Sequence, residues 1–508
     1  FWSTTDRETH RIAMANNNSD SLLCPPAAPS NTGVKQFTLS PALGDGFPSS
    51  PSRRLRAFKS RSSDPAVHQS WAPKLLGEAT HDSPLESVFE FEDEHQKQYL
   101  DIVECVEHTE EGLTSRGQII SGKDLPDCGK PIMVEMAGPR KKIFFDPKTT
   151  TVGIVTCGGL SPGLNNVIRA LVLCLWHRYG VRTFLGFRFG YEGLIPTGNI
   201  MNLTPDLVRN IHSQGGTILG TSRGPQDPIV MAKNLAAKDV DILFTLGGDG
   251  TLRGALSITK ALEELKHNIS VVGIPKTIDN DISFTDRTFG FDTAVDLASK
   301  TISSIHNEAT SHRGGIGIVK LMGRHSGFIA LHASIASGDA NVVLLPEINF
   351  TWEGLGKYLT HRFTELKKND VVIVVAEGAG QDLLEAQNLH QKDASGNEKL
   401  VDIGLAVKGF VSAHMKSLKL DFTIKYVDPA YIIRSSQANT SDALYCIHLA
   451  QMAAHAAMAG RTEIVISKMH GSFVHVPIAK AVEARKNIDP NGWLYETLLD
   501  ATGQPSLV

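Results

Sequence analysis

Three acidic side chains follow two short apolar segments, each of the length of a buried strand. Asp249 stands between glycines in DILFTLGGDGT, and Asp279 and Asp281 end the segment SVVGIPKTIDNDI. A carboxylate flanked by glycines can meet Mg2+ and phosphate oxygens without crowding them. Two acids two positions apart are expected to share a face of an extended segment, where one could accept a proton while the other helps hold a metal. The pattern favours phosphate chemistry, with turn-forming acids as the alternative.

A glycine-rich loop follows the apolar strand TVGIVTC and begins with Gly158 and Gly159. Ser161 is expected to cap the next helix, with Pro162 at its first position, so that backbone N–H groups can approach an anion at the positive helix end. The loop is neither a Walker A loop nor GxGxxG. A tight turn that binds nothing is the other interpretation of this loop.

Other strand-like segments also end in reactive side chains. GIGIVKL leads into Met322, Gly323 and Arg324, VVIVVAE ends at Glu377, and the stretch GGTILGTSRG carries Arg223. Because ligands of open α/β sheets collect outside the carboxyl ends of the strands, these groups are expected to meet at one edge. Arginines and Mg2+ would stabilise the charge on a moving phosphoryl group, while a carboxylate accepts a proton. The sequence therefore predicts phosphoryl transfer.

The elements that must position these residues begin at Thr151. From there, short β-branched strands alternate with amphipathic helical stretches, which predicts an α/β fold with mostly parallel sheets. The sequence from Met14 to about Ser63 is rich in Ser, Pro and Asn, and residues 1–84 are expected to be a disordered or targeting-like leader. Residues 85–148 are expected to form an N-terminal extension that packs on the core.

Composition narrows the class of protein. The chain has 508 residues, enough for two or more domains, and a formal net charge of -4. This charge gives no drive toward nucleic acid, and no uncharged apolar stretch approaches the length of a membrane-spanning helix. The six cysteines contain no CxxC pair and fit neither a disulfide framework nor a zinc site.

Together the motifs resemble the 6-phosphofructokinases, in particular the long ATP-dependent type of plants and protists. The resemblance rests on the segments GPRKKIFFDP, GGLSPGLN, GGDGT, PKTIDND, MGRHSG and DPAYIIR. It implies two Rossmann-like domains facing a cleft. The nucleotide-binding domain would comprise residues 149–290 with part of 433–480, and the sugar-phosphate-binding domain residues 291–432 with part of 481–508.

The resemblance also implies roles for individual residues. The proton acceptor falls on Asp279, the Mg2+ ligand on Asp249, and the transition-state arginines on Arg223 and Arg324. The implied ATP contacts are Gly158, Gly159, Arg223, Gly224, Gly248, Asp249, Gly250 and Thr251. The implied substrate contacts are Thr277, Ile278, Asp279, Asp281, Met322, Gly323, Arg324, Glu377, Lys425, Tyr431 and Arg434.

Two positions bear on how far the resemblance extends. Bacterial members have an arginine from a neighbouring subunit where this chain has Gly315, and whether Arg313 replaces that contact stays open. Gly250 matches the ATP-using members, whereas Lys276 matches both the pyrophosphate-using members and the long ATP-using group. A carboxylate at position 250 would intrude on the α-phosphate of ATP, so Gly250 favours ATP as donor.

The implied activity is transfer of the ATP γ-phosphate to the 1-hydroxyl of fructose 6-phosphate, with Mg2+, in glycolysis. The alternatives are a pyrophosphate-dependent enzyme and a non-catalytic regulatory homologue. The resemblance further implies an allosteric homo-oligomer, a dimer or tetramer, in the cytoplasm or alternatively the plastid. Neither nucleic acid nor membrane is an expected partner.

Overall fold

The computed structural model describes residues 71–85, 105–108, 132–387 and 400–508. Within these ranges β-strands alternate with α-helices along most of the chain. The strands, in chain order, are β1 Lys74–Leu75, β2 His81–Asp82, β3 Cys105–His108, β4 Ile132–Met136, β5 Lys142–Ile143, β6 Thr151–Thr156, β7 Thr183–Phe187, β8 Ile200–Asn202, β9 Ile242–Gly247, β10 Ser270–Pro275, β11 Gly315–Leu321, β12 Val342–Leu344, β13 Asp370–Ala376, β14 Thr423–Val427, β15 Arg461–Thr462, β16 Ile464–Met469 and β17 Ser472–Pro477.

The helices connect these strands and cover the sheets. They are α1 Leu164–Cys174, α2 Pro205–Val208, α3 Pro228–Ala237, α4 Asp249–Glu264, α5 Phe291–Thr310, α6 Phe328–Ser337, α7 Trp352–Thr360, α8 Ile403–Ser417, α9 Ala430–Ser435, α10 Thr440–Met458, α11 Ile478–Ala481 and α12 Trp493–Thr502. One π-helical turn continues α1 and another continues α7, and three short 3-10 helices lie at Gly190–Leu194, Ile211–Ser213 and Asp382–Gln387.

Two sheets organise the described chain. The large sheet has nine strands in the order β3-β4-β17-β16-β10-β9-β6-β7-β8, and its centre, from β16 to β7, is parallel. The small sheet has four strands in the order β12-β13-β11-β14, all parallel. The chain completes the small sheet before it returns to add β16 and β17 to the large one.

Side-chain alternation along each strand explains why helices cover both faces of both sheets. In β9, Phe244 and Leu246 pack on one face and Leu243 on the other, so each face has its own apolar core. In β13, Val372 and Val374 likewise face a different core from Ile373. Strands buried on both faces are typical of parallel sheets covered by crossover helices. The predicted α/β fold is thus confirmed, with a small sheet that is entirely parallel and a large sheet that is mixed, parallel at its centre and antiparallel toward both edges.

The leader predicted for residues 1–84 includes a segment, from residue 71 onward, that the structure shows to be folded. Residues 71–85 pack on the core: β1 pairs with β15, β2 pairs with β5, and the side chains of Trp71 and Leu85 are buried. Apolar side chains such as Trp71 and Leu85 give this short segment enough surface to bury. The average composition of the whole leader does not reveal them. Residues 1–70 lie outside the described part of the chain. In the residues that are described, we find no helix with both the length and the apolar character needed to cross a membrane.

Candidate functional site

Three adjacent strands of the large sheet deliver their following loops to one edge. Strands β6, β9 and β10 are parallel neighbours, so Gly158, Asp249 and Lys276 all leave the sheet at the same end. The Nζ of Lys276 donates a hydrogen bond of 2.6 Å to the carbonyl oxygen of Gly159. This bond ties the loop after β10 to the loop after β6.

The glycine loop differs from its prediction at the helix start. Helix α1 begins at Leu164, after Gly163 with φ of 102°, and not after Ser161. The buried Ser161 hydroxyl instead donates to the carbonyl oxygen of Phe289 at 3.1 Å. Glycine is required at position 163, because a Cβ there would lie 2.6 Å from the Sγ of Cys446 and φ is in the left-handed region.

Two basic side chains, Lys276 and Arg223, lie beside the glycine loop after β6. Burial lowers the pKa of the Lys276 ammonium to about 8, and the neighbouring Arg223 acts in the same direction. The Arg223 guanidinium lies beside Gly159, since its Nη2 would be 3.7 Å from a Cβ placed there. A buried lysine and an arginine at a glycine loop form an environment that favours the phosphate groups of a ligand.

Asp249 is the first residue of helix α4, where a carboxylate also complements the helix dipole. One carboxylate oxygen accepts from the Nε of Arg253 at 3.1 Å, and the other lies 3.5 Å from an Nη of Arg485. The side chain is partly exposed. Mg2+ in phosphoryl-transfer sites takes one or two carboxylates together with substrate phosphates, and Asp249 fits that role, although the ion would compete with two arginines.

Replacing Asp249 by Asn tests this assignment. The amide keeps the size of the side chain but removes the charge, so we expect a higher Mg2+ requirement together with lower turnover. The measurement is a Mg2+ titration of steady-state activity. Asp296→Asn is the matched control, because Asp296 also pairs with a basic residue one helical turn later but lies on α5. Full activity with an unchanged Mg2+ titration in Asp249→Asn would leave Asp249 only a turn residue.

The two acids after β10 are in different environments. The Thr277 hydroxyl donates to Oδ1 of Asp281 at 2.7 Å, whereas Oδ1 of Asp279 is buried and has no hydrogen-bond partner among the described residues. The expected extended segment is wrong: Asn280 has φ of 57°, a left-handed conformation that asparagine tolerates. Its Oδ1 accepts from the N–H of Thr288 at 3.0 Å, which holds this turn.

The environment of Asp279 disfavours its charge. Burial, with the neighbouring carboxylates of Asp281 and Glu377, raises the pKa of Asp279 to about 8, while Arg434 and Lys276 act in the opposite direction. Asp279 and Lys276 belong to the loop after β10, whereas Glu377 and Arg434 belong to the small sheet. The groups that set this pKa therefore come from both sheets.

The carboxyl end of the small sheet supplies the other side of the site. Gly323 follows β11 with φ of 130°, and a Cβ on Gly378 would lie 1.9 Å from the carbonyl oxygen of Arg324, so these two turns require glycine. The Nε of Arg324 is buried without a hydrogen-bond partner in the described chain. Burial raises the pKa of Glu377, against the charges of Arg434 and Lys320.

Helix α9 carries two of the predicted sugar-phosphate contacts. The guanidinium carbon of Arg434 lies 4.9 Å from the centre of the Tyr431 ring, a cation–π distance. Tyr431 is 77% exposed, while Ile433 on the opposite side is buried in the core of the small sheet. The helix thus presents an aromatic ring and a guanidinium outward, next to Glu377.

A segment far along the chain joins the two edges. The N–H of Lys486 donates to the carbonyl oxygen of Asp281 at 2.9 Å, and the carbonyl oxygen of Lys486 accepts from the Ser326 hydroxyl at 2.6 Å. We call residues 485–488 the bridging segment. It holds the loop after β10 against the loop after β11, and its first residue, Arg485, reaches Asp249.

Most, but not all, of the predicted residues come together at these edges. Gly158, Gly159, Gly248, Asp249, Gly250 and Thr277 to Asp281 lie at the large sheet, with Arg223 beside Gly159, and Met322 to Arg324, Glu377, Tyr431 and Arg434 lie at the small one. Ile278 is buried in the core of the small sheet with Met322, so it fixes the loop of Asp279 across the boundary. Gly224, next to Arg223, has a φ of 119°, a conformation that favours glycine.

Thr251 and Lys425 are the exceptions. Thr251 is buried under Gly247, and its N–H donates to the carbonyl oxygen of Gly248, so its contact with the nucleotide stays a prediction. Lys425 pairs with Gly317 in mid-strand, and its Nζ lies 3.3 Å from a carboxylate oxygen of Glu308, away from the carboxyl edge.

Gly315 cannot carry a side chain in this backbone. A Cβ there would lie 1.8 Å from the carbonyl oxygen of Ala309. Arg313 is exposed nearby. The end of helix α5 therefore packs too closely against the start of β11 for any side chain at position 315, where bacterial members have an arginine.

Sequence reasoning missed the bridging segment and Lys320. Arg485 and Lys486 lie in ARKN, which has no glycine loop or strand before it, and reach the site because the chain returns to the large sheet. Lys320 is the one polar side chain in the apolar strand GIGIVKL. A lysine in a strand that is otherwise buried was the available signal, because such a charge requires partners.

Comparisons with known proteins agree with this arrangement. A family model described as phosphofructokinase matches residues 151–457. An ATP-dependent 6-phosphofructokinase of Entamoeba histolytica is 51% identical over 374 residues, which cover 73% of this chain and 85% of that protein. Another, of Borreliella burgdorferi, is 45% identical over 396 residues, covering 76% of this chain and 88% of that one.

A solved structure of similar fold is the phosphofructokinase of Saccharomyces cerevisiae. The TM-score is 0.55 at 26% sequence identity, and the match covers 70% of this chain and 48% of the yeast chain. The present chain therefore matches about half the length of that structure.

Proposed function

The chain belongs to the phosphofructokinase family, and we propose that it transfers the γ-phosphoryl group of ATP to the 1-hydroxyl of fructose 6-phosphate, giving fructose 1,6-bisphosphate and ADP. The observation that carries this proposal is Asp279. Its carboxylate has an unpartnered buried oxygen and a pKa of about 8, and charged groups from both sheets surround it. A general base works best when its pKa lies near the working pH.

In this proposal the oxygen of the sugar 1-hydroxyl forms a bond to the γ-phosphorus of ATP, while the bond from that phosphorus to the leaving ADP oxygen breaks. Asp279 accepts the proton that the 1-hydroxyl loses. Asp281 is the weaker candidate, because one of its oxygens already accepts from Thr277. The Asp281 charge instead helps to raise the pKa of Asp279. In this proposal Asp279 transfers the proton, and Asp281 raises the pKa of Asp279.

The cationic side chains would stabilise the charge on the transferring group. Arg223 stands at the glycine loop of the large sheet, and Arg324 has a buried Nε without a described partner at the small sheet. Two arginines on opposite sides suit a phosphoryl group in transit between two substrates. Mg2+, held by Asp249, would supply further neutralisation of the ATP phosphates when bound.

Sugar phosphate would lie mainly at the small sheet, where α9 offers Arg434. The 6-phosphate is a non-reacting part of the substrate, so its contacts contribute mostly to binding. Met322, Glu377 and Thr277 line the path from Arg434 to Asp279 in this proposal. The nucleotide would lie along the large sheet, at Gly158, Gly159 and the start of α4.

Removing the Arg434 guanidinium should mainly weaken fructose 6-phosphate binding. For Arg434→Ala we expect KM for the sugar phosphate to rise roughly 10- to 100-fold, as loss of a charge-assisted hydrogen bond implies, with a smaller change in kcat and little change in KM for ATP. The matched control is Arg182→Ala, since Arg182 also stacks on an aromatic ring, that of Trp176, but precedes β7 at the amino end of the large sheet's parallel strands, away from the site. An unchanged sugar-phosphate dependence would remove Arg434 from the site.

The overall proposal is tested by one assay with two donors. Purified protein is given fructose 6-phosphate with ATP and then with pyrophosphate, and formation of fructose 1,6-bisphosphate is followed through coupled enzymes. We expect activity with ATP and much less with pyrophosphate, because Gly250 leaves room for the nucleotide. Activity with pyrophosphate alone would establish the alternative enzyme, and activity with neither donor would support a non-catalytic homologue.

The remaining parts of the proposal concern the surroundings of the enzyme. Assembly into a dimer or tetramer, allosteric control, and a location in the cytoplasm or plastid follow from the resemblance and remain predictions. So does the assignment of nucleotide and sugar phosphate to the two predicted domains. Sedimentation of the purified protein, with and without substrates, measures the assembly directly.

A further inference from the structure

Lys320 lies in β11 two residues before Met322. It is the one residue of this strand that is not fully buried, and its side chain is 14% exposed. Its Nζ lies 2.9 Å from an oxygen of Asp402 and 2.8 Å from an oxygen of Asp428. An ammonium group covered to this degree is costly unless it is paired, and here two carboxylates pair with it.

Each of the two acids holds the start of a helix. The second oxygen of Asp428 accepts from the N–H of Ala430, the first residue of α9, at 3.0 Å. Asp402 is the N-cap of α8, where it accepts from the N–H of Leu405 at 3.1 Å. Lys320 therefore joins the beginnings of two helices to the strand that leads into Arg324.

Helix α9 depends on this connection more than α8 does. It has six residues, of which Tyr431 and Ile432 are exposed and Ile433 is buried. A helix of this length does not form alone in water, so packing and capping must define it. Helix α8 has 15 residues and buries five side chains. Loss of one cap contact should consequently displace α9 while leaving α8 in place.

Lys320 also contributes to the field at Glu377, where its charge and that of Arg434 oppose the effect of burial on the carboxylate. Without Lys320, the three carboxylates of Asp402, Asp428 and Glu377 would share this region with one cation fewer. Repulsion among them would favour movement of the most weakly held element, which is the segment from Asp428 to Arg434.

Resting on the proposed function, we propose that Lys320 is a positioning residue for sugar-phosphate recognition: through Asp428 it fixes where Tyr431 and Arg434 stand. It acts without touching the substrate. The nucleotide side of the site, at the large sheet, is independent of it. The inference thus specifies an effect on one substrate and not on the other.

The test compares Lys320→Met, Asp428→Asn and Asp402→Asn with the wild-type chain. Methionine keeps most of the length of lysine but removes its charge. For Lys320→Met and Asp428→Asn we expect KM for fructose 6-phosphate to rise roughly 10- to 100-fold, as expected for small misplacements of a binding group, while KM for ATP stays within about twofold. Asp402→Asn should lower thermal stability with little change in either KM.

Two further variants make the comparison decisive. Lys320→Arg keeps the charge and should retain most of the sugar-phosphate affinity, and Lys320→Met combined with Asp428→Asn should be no worse than Lys320→Met alone, because both changes break one contact. Lys300→Met is the control, since Lys300 also pairs with an aspartate but lies exposed on α5. If Lys320→Met does not fold, Asp428→Asn carries the same test.

The outcomes separate the two proposals. A wild-type chain without fructose 6-phosphate kinase activity overturns the proposed function, and this inference with it. With an active wild type, the inference alone is overturned if Asp428→Asn leaves KM for fructose 6-phosphate unchanged, if KM for ATP rises equally, or if Asp402→Asn has the same effect as Asp428→Asn. The last result would make the cluster a general structural contact.

Discussion

Asp279→Asn should bind both substrates and turn them over roughly 10²- to 10⁴-fold more slowly, the range expected for loss of a general base. The amide has the size of the carboxylate and cannot accept the proton of the 1-hydroxyl. The measurement is kcat at saturating ATP and fructose 6-phosphate, with binding followed separately. Near-normal turnover would show that another group takes the proton.

The same change gives a stability result of known sign. Because the pKa of Asp279 is raised to about 8 in the folded chain, the native state holds a proton there between about pH 4 and pH 8 that the unfolded state has released. The free energy of unfolding therefore falls as pH rises through this window. Asparagine has no such titration, so thermal unfolding of Asp279→Asn should depend less on pH, and the variant should be no less stable at neutral pH.

The pH dependence of the wild-type reaction follows from the same group. A base must be deprotonated to act, so kcat/KM for fructose 6-phosphate should increase with pH up to about 8. Asp281→Asn is the useful comparison, because it removes a like charge beside Asp279. The rise of kcat/KM with pH, which is the acidic limb of the pH profile, should therefore occur at lower pH in this variant. A limb that stayed in place in Asp281→Asn would contradict the proposed coupling of the two acids.

Gly250→Asp should change the preferred phosphoryl donor. A Cβ at this position meets no atom within 4 Å, and the residue is exposed at the second position of α4, so the fold can accept the change. The added carboxylate would stand where the ATP phosphates approach. Like-charge repulsion of about 1–4 kcal/mol at 4 Å corresponds to a roughly 5- to 10³-fold loss of ATP use, which the shorter pyrophosphate partly avoids.

Two smaller changes separate volume from charge at this position. Gly250→Ala adds only a methyl group, and Gly250→Asn adds the volume of aspartate without its charge. We expect ATP use to decline in the order Ala, Asn, Asp, with the ratio of pyrophosphate to ATP activity highest for Asp. Equal loss of both activities in Gly250→Asp would indicate damage to the Asp249 loop instead of donor selection.

The fold and much of the site were accessible from the sequence because parallel strands impose a simple rule. When apolar strands are neighbours, whatever follows them arrives at one edge, so Asp249 and Asp279 could be placed together without knowing any contact. The rule does not give side-chain direction. Thr251 is the third residue of helix α4, which Asp249 begins, yet Thr251 is buried while Asp249 is partly exposed, because a helix turns successive side chains to different faces.

The errors arise where the backbone leaves the regular conformations. Asn280 adopts a left-handed conformation in a turn held by the N–H of Thr288, eight residues on. Helix α1 starts after Gly163, where Ser161 bonds to Phe289 and Cys446 packs against the turn, both far away in sequence. The same limit hides the partners of Lys320, which lie 82 residues away for Asp402 and further for Asp428. Local patterns do not specify such pairings, which depend on how the small sheet assembles.

The bridging segment also sets an order of events during synthesis. Arg485 follows its partner Asp249 by 236 residues, which at about 5–20 residues per second means that the contact forms roughly 10–50 s after Asp249 is made. Until β16 emerges, β10 is the open border of the large sheet, an apolar strand with unsatisfied backbone groups. We therefore expect the incomplete chain to be prone to aggregation in this interval, and molecular chaperones that cover exposed strands should act before β16 docks.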